Sequence, residues 1–111
     1  MPGPIYRMHG ASTGAYDIRH LAIDVRVVMT NKCPGSMVRG FGGPQMYYAI
    51  ERMMHRVAEE LGMDPLDVIR RNLVPAGVFP YRAAAGALLD SGDFPVAVEM
   101  GARDGGLEEL K

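Results

Sequence analysis

The 111-residue chain carries 12 Lys and Arg against 13 Asp and Glu, a formal charge of −1 with its three His neutral. That balance excludes a charge-driven binder of nucleic acid or membrane surfaces. At 48% hydrophobic and 23% charged the chain matches a folded protein rather than a disordered tail, with room for one domain and one modest core.

Residues 1–17 read as an irregular lead-in, where Pro2, Gly3, Pro4, Gly10, Ser12, Thr13 and Gly14 interrupt isolated apolar residues. From 18 to 30 the pattern changes to a period of two. Leu21, Ile23, Val25, Val27 and Met29 alternate with His20, Ala22, Asp24, Arg26 and Val28, which predicts one long amphipathic strand. Only Ile5-Tyr6-Arg7-Met8 offers a second strand, so this one wants neighbours that the chain does not supply.

Residues 31–43 are loop, turn chemistry from Asn31 to Ser36 followed by Arg39-Gly40-Phe41-Gly42-Gly43, and Pro44 suits the opening of a helix. Over 44–73 a helical pair is expected. In the first helix Met46, Ile50, Met53, Met54, Val57 and Leu61 recur at three and four, and Gly62 supplies a left-handed cap. In the second, Asp64 is the N-cap, Pro65 opens the first turn, and Arg70 and Arg71 favour the dipole at its end. Residues 74–111 are expected to be loop with one short strand, then a C-terminal helix entered through Ser91-Gly92-Asp93.

Cys33, the lone cysteine, forms no intrachain disulfide and cannot build a zinc site, and no apolar run nears the roughly 20 residues of a membrane span. Met1-Pro2-Gly3-Pro4 lacks the opening of a secretion signal, so a cytoplasmic location is expected. His9, His20 and His55 are scattered without acidic or thiol partners at ligand spacing, so no metal site is expected from side chains. Ser36, Ser91 and Cys33 lack the frame of a nucleophile.

The segment with chemistry is Arg39-Gly40-Phe41-Gly42-Gly43-Pro44-Gln45. Its glycines let backbone approach a ligand, the helix that follows turns the positive end of its dipole toward the loop, and Arg39 adds a planar charged fork. The same glycines would also serve simply to make a turn. The run is neither a dinucleotide fingerprint nor a Walker loop, because it lacks the sixth-position glycine and a Gly-Lys-Ser/Thr ending.

In order along the chain, Thr30-Asn31, Arg39-Gly40-Phe41-Gly42-Gly43-Pro44-Gln45, Ile50-Glu51-Arg52, Glu60-Leu61-Gly62-Met63-Asp64-Pro65, Arg70-Arg71-Asn72-Leu73, Phe79-Pro80-Tyr81 and Asp90-Ser91-Gly92-Asp93-Phe94 form a pattern. It resembles the molybdenum-binding large subunit of the xanthine dehydrogenase and aldehyde oxidase family, over residues 14 to 111. Such subunits are several times longer, so the resemblance implies an internal fragment: an α+β piece, with one long strand, a glycine loop and three or so helices, of a larger molybdopterin-binding domain.

The resemblance implies a hydroxylase of aldehydes or N-heterocycles such as purines, with the molybdenum held by the pterin dithiolene and not by protein. Iron–sulfur and FAD groups on partner subunits or domains would carry the electrons away. The pterin would be present with or without an attached nucleotide. Phe41 would pack against the substrate, with Arg39 beside it, and Arg39, Gly40, Phe41, Gly42 and Gly43 would line the cofactor. Arg39 also suits a structural role, fastening the loop to neighbouring carbonyls. The general-base glutamate of the family lies in a segment absent here, so no catalytic residue is assigned and the fragment alone is expected to be inactive.

Carbon monoxide oxidisers of the family tend to carry Arg-Gly-Ala-Gly-Arg-Pro-Glu at this loop, so Phe41, Gly43 and Gln45 lean toward the purine and aldehyde side. Val38 departs from the aromatic residue that many such members place before the arginine. Arg7 lies upstream where some purine oxidisers keep a substrate-contacting arginine, without the matching local motif. The rival expectations are a small non-catalytic helical module that recognises another protein through its Met-rich helix and, less favoured, a phosphate-binding module that uses the same helix N-terminus.

Overall fold

A computed structural model describes residues 12–33 and 39–110. Four helices and one two-stranded hairpin occur among them. Helix α1 spans Gly43–Leu61, α2 Pro65–Asn72, α3 Phe94–Asp104 and α4 Leu107–Leu110, while strands β1, Tyr81–Arg82, and β2, Leu88–Leu89, pair antiparallel. A single 3-10 turn at Ala76–Val78 links α2 to the hairpin.

The helix ends follow from local chemistry. Gly62 at φ 63° closes α1, and the Met63 N–H reaches back to the Ala58 carbonyl at 2.9 Å, which satisfies an orphan acceptor of the last turn. Asp64 then caps α2, its Oδ1 accepting from the Leu66 N–H at 2.7 Å, and Asp93 caps α3 by accepting from the Val96 N–H at 3.0 Å. In both helices a proline occupies the first turn, where its missing N–H costs nothing.

The core lies where α1 crosses α2. Tyr16, Met54, Ala58, Val68 and Leu73 are buried together, with Ile18, Ile50, Met63, Ile69, Phe94 and Val98 packed around them. Ala58 is fully enclosed, so the helices approach closely there. The chain enters this core through an isolated antiparallel bridge, Tyr16 to Leu73. The Asp17 N–H donates to the Asn72 carbonyl and the Val74 N–H to the Ala15 carbonyl, both at 2.9 Å.

One expectation is not met among the described residues. Residues 18–30 form no hydrogen-bonded strand, and every residue from Arg19 to Cys33 is exposed. Along the apolar stripe exposure runs from 41% at Leu21 through 48% at Val25 to 100% at Met29. The period of two is real, but a strand exists only when a second strand accepts its N–H and C=O groups, and no such neighbour occurs among the described residues. The proposed partner at 5–8 lies outside them.

The region after α2 also differs from expectation. Two short strands stand where one was expected, the Ala83 N–H bonding the Ala87 carbonyl at 2.9 Å across a turn that Gly86 completes at φ 95°. Strands of two residues are too short for an alternating pattern to register in sequence.

Candidate functional site

The glycine loop turns tightly into α1. Gly40 and Gly42 hold φ of 77° and 83°, a region closed to most side chains, and the Gly43 N–H donates to the Gly40 carbonyl at 2.9 Å. Gly42 is buried, Phe41 and Gly43 are half-buried, and Arg39 and Gly40 are exposed. A Cβ on Gly43 would stand 3.3 Å from the Tyr47 ring, tighter than an ordinary contact. Four of the five loop residues therefore have a local structural reason for their identity or burial, and Arg39 does not.

The start of α1 has no side-chain cap and no acidic residue in its first turn. Its dipole therefore has no acidic partner from its own first turn, and Arg39 stands four residues ahead of it in the chain. The loop thus gathers Arg39 through Gly43 into one continuous turn that is electropositive and open to solvent at Arg39.

Behind α1 runs a cleft of about 390 Å³, walled by Thr13, Gly14, Tyr47, Glu51, Leu89 and Phe94 among others. Tyr16 donates to Glu51 Oε2 at 2.7 Å, and burial, reinforced by that carboxylate, pushes the Tyr16 phenol well above its ordinary value. Thr13, 1% exposed, keeps a buried Oγ1 without a hydrogen-bond partner. A second cleft of about 390 Å³ lies over Asp17, Arg19, Tyr81 and Arg82. There the Arg19 guanidinium, and after it the Tyr81 hydroxyl at 2.8 Å, hold the Asp17 carboxyl below the usual carboxylate range.

Sequence reasoning singled out the loop and gave no sign of either cleft. Their walls come from segments 35 and 64 residues apart, as the Tyr16 to Glu51 and Asp17 to Tyr81 bonds record, and no local pattern reports such a separation. His20 lies on the exposed segment, and His55 flanks a small cleft with Asp64, Leu66 and Ile69. Among the described residues no group of three or more His, Cys, Asp and Glu could hold a metal, and no helix is long and apolar enough to cross a membrane. Arg7, His9 and Val38 lie outside the described residues.

With this geometry in place the comparisons with known proteins become specific. Residues 1–73, the stretch that contains the loop, α1 and α2, match the molybdopterin cofactor-binding domain. The chain belongs to that family. It is 36% identical over 103 residues to the carbon monoxide dehydrogenase large chain of Afipia carboxidovorans, covering 89% of this chain and 12% of that one. To the aldehyde oxidoreductase of Megalodesulfovibrio gigas it is 40% identical over 77 residues, 68% of this chain and 8% of that one. To the xanthine dehydrogenase molybdenum-binding subunit of Escherichia coli O157:H7 it is 30% identical over 105 residues, 86% of this chain and 14% of that one. The chain therefore spans about an eighth of the length of the curated relatives it matches.

The loop suits one side of a molybdopterin site. An exposed guanidinium, an uncapped helix start and the exposed, positive-φ Gly40 offer charge and close backbone approach to an anionic pterin group, and no carboxylate stands in the loop to oppose it.

Proposed function

We propose that this chain supplies one wall of the molybdenum–pterin pocket of a larger hydroxylase subunit that acts on aldehydes or N-heterocycles such as purines. The observation that carries this reading is the turn at Arg39–Gly43, with positive φ at Gly40 and Gly42, inside the stretch that matches the cofactor-binding family. When bound, the molybdenum–pterin group supplies the two-electron chemistry of inserting a water-derived oxygen into a C–H bond. The residues of this chain bind and orient. Gly40, Gly42 and Gly43 admit the cofactor to the backbone, Arg39 offsets its negative charge, and the face of Phe41 holds a flat substrate in place.

The activity belongs to the whole subunit. Electrons would leave through iron–sulfur and flavin groups on partner subunits or domains, and the general-base glutamate would come from another segment, so the 111 residues alone turn over nothing. In the same arrangement residues 18–30 would gain strand neighbours from the rest of the subunit, which accounts for a pattern that the isolated chain leaves unused.

A chimera tests this reading. Residues 12–110 replace the corresponding part of the Megalodesulfovibrio gigas aldehyde oxidoreductase, to which 77 residues of the chain align, and molybdenum content and aldehyde oxidation are measured. Retention of both is expected, with Gly42→Ala losing molybdenum and Phe41→Ala keeping it while raising KM for aromatic aldehydes. A folded chimera whose molybdenum is indifferent to Gly42→Ala and Arg39→Ala would overturn the assignment of the loop.

A further inference from the structure

Between the glycine loop and the core, α1 is tied to the amino-terminal segment at a point that the proposed function does not use. Gly43, Tyr47 and Glu51 follow one another at four-residue intervals along one side of the helix, which puts Glu51 about 12 Å from its start. The Glu51 Oε2 accepts from the Tyr16 hydroxyl at 2.7 Å. We infer that Glu51, gripped by Tyr16, is a positioning residue for the loop: the pair sets the rotation and axial level of α1, and through them the place of Arg39 to Gly43.

Tyr16 is a fixed post. It is 2% exposed, its own N–H donates to the Thr13 carbonyl at 3.1 Å, and the Asp17 and Val74 amides lock its segment to the end of α2. Helix α1 leans on this core through Ile50, Met54 and Ala58, apolar contacts that favour closeness without prescribing a direction. A hydrogen bond to a carboxylate prescribes both length and angle. Burial, reinforced by the carboxylate, pushes the Tyr16 phenol well above its ordinary value, so the proton stays on the tyrosine and the bond keeps one sense at neutral pH.

The loop is fastened to the helix in turn. The Gly43 N–H donates to the Gly40 carbonyl at 2.9 Å and the Met46 N–H to the Gly42 carbonyl at 3.1 Å, while the Tyr47 ring lies against Gly43, 3.3 Å from where a Cβ would stand. A turn stitched to α1 in this way takes its place from α1, so a small rotation at Glu51 is passed on to Phe41. Where the loop stands follows from these contacts alone, and what it holds there rests on the proposed function.

Two measurements test the pair. In the full 111-residue chain, amide NMR shifts of Gly40, Gly42 and Gly43 report the loop, and Gly62, at the far end of α1 beyond Met54 and Ala58, serves as reference. Tyr16→Phe and Glu51→Leu should displace the loop glycines and leave Gly62 in place, whereas Glu51→Gln, whose amide oxygen still accepts, should displace neither. In the aldehyde oxidoreductase chimera, Tyr16→Phe and Glu51→Leu should each raise KM for benzaldehyde roughly tenfold at unchanged molybdenum content. Glu51→Gln should keep the KM, and the double variant of Tyr16→Phe with Glu51→Leu should be no worse than either alone, because both break one bond. Loop amides that stay put, or a Gly62 displaced as far as they are, overturn the inference, as does an unchanged KM in a chimera whose molybdenum still responds to Gly42→Ala. Displaced loop amides with KM and molybdenum both indifferent uphold the placement and count against the proposed function instead.

Discussion

Helix α1 and residues 18–30 each carry a regular apolar period, yet one buries part of its stripe and the other buries almost none. Met54 and Ala58 of α1 sit in the core, whereas Val27 is 69% exposed and Met29 wholly so. The difference lies in how backbone groups are satisfied. A helix closes its hydrogen bonds within itself and needs a partner only for its apolar face, which α2 and the 12–18 segment supply. A strand needs a neighbour before it exists at all. Patterning thus states what a segment can become, and the rest of the chain decides whether it does.

The sharpest probe of this contrast is truncation on each side. Leu73→Ala, at the centre of the core, should cost about 2–5 kcal/mol in urea unfolding. For a core this small that is a large fraction of the whole. An effect below about 1 kcal/mol would mean that the core is much looser than its burial implies.

Tyr16→Phe is gentler. It keeps the ring and removes the hydroxyl that Glu51 accepts, at an expected cost of about 1 kcal/mol. It also changes the alkaline limb. Because the folded phenol is raised above its unfolded value of about 10, its contribution is complete below that pH and is lost as pH rises through the folded value. Thermal melts of the wild type above pH 10 should therefore fall away more steeply than those of the variant.

The acid limb tests the surface around the core. Arg70 grips Glu99 with two bonds, Nε to Oε1 at 2.6 Å and Nη2 to Oε2 at 2.8 Å, joining α2 to α3 and holding the carboxyl below its usual range. Asp17 is held down likewise by Arg19 and then Tyr81. Both pKa values are depressed, so their contributions are complete above the unfolded carboxylate range and are lost as pH falls through the folded values. Side-chain carboxyl NMR titrations should find Glu99 returning toward its ordinary value in Arg70→Gln while Asp17 keeps its own.

The smallest effect belongs to the arm. Val27→Ala should change stability by less than about 0.5 kcal/mol at concentrations where the chain is monomeric. A loss comparable to that of Leu73→Ala would show that the arm is already packed in the monomer.

Much of the helical framework was legible from single residues. Asp64 with Pro65, Asp93 with Pro95, and Gly62 each fix a helix end by local chemistry, and the structure uses all three. The loop at 39–43 was legible for the same reason, since positive-φ turns ask for glycine where Gly40 and Gly42 stand. What escaped was long-range. Tyr16 gives no sign in sequence that its hydroxyl will find Glu51, nor Tyr81 that it will find Asp17, because each partner is chosen by packing rather than spacing. The hairpin at 81–89 escaped because its register is held by a turn of small residues and not by alternation.

The bridge between Tyr16 and Leu73 has a consequence for the integrity of the chain under cleavage. Two backbone bonds fasten the incoming segment to the end of α2 before the arm departs, and Ile18 and Tyr16 are packed into the core ahead of it. A protease that nicks the exposed stretch between Arg19 and Cys33 would separate two polypeptides that remain clasped. The expected product is a nicked complex that elutes as one species, its amino-terminal peptide released only when the helical unit itself unfolds.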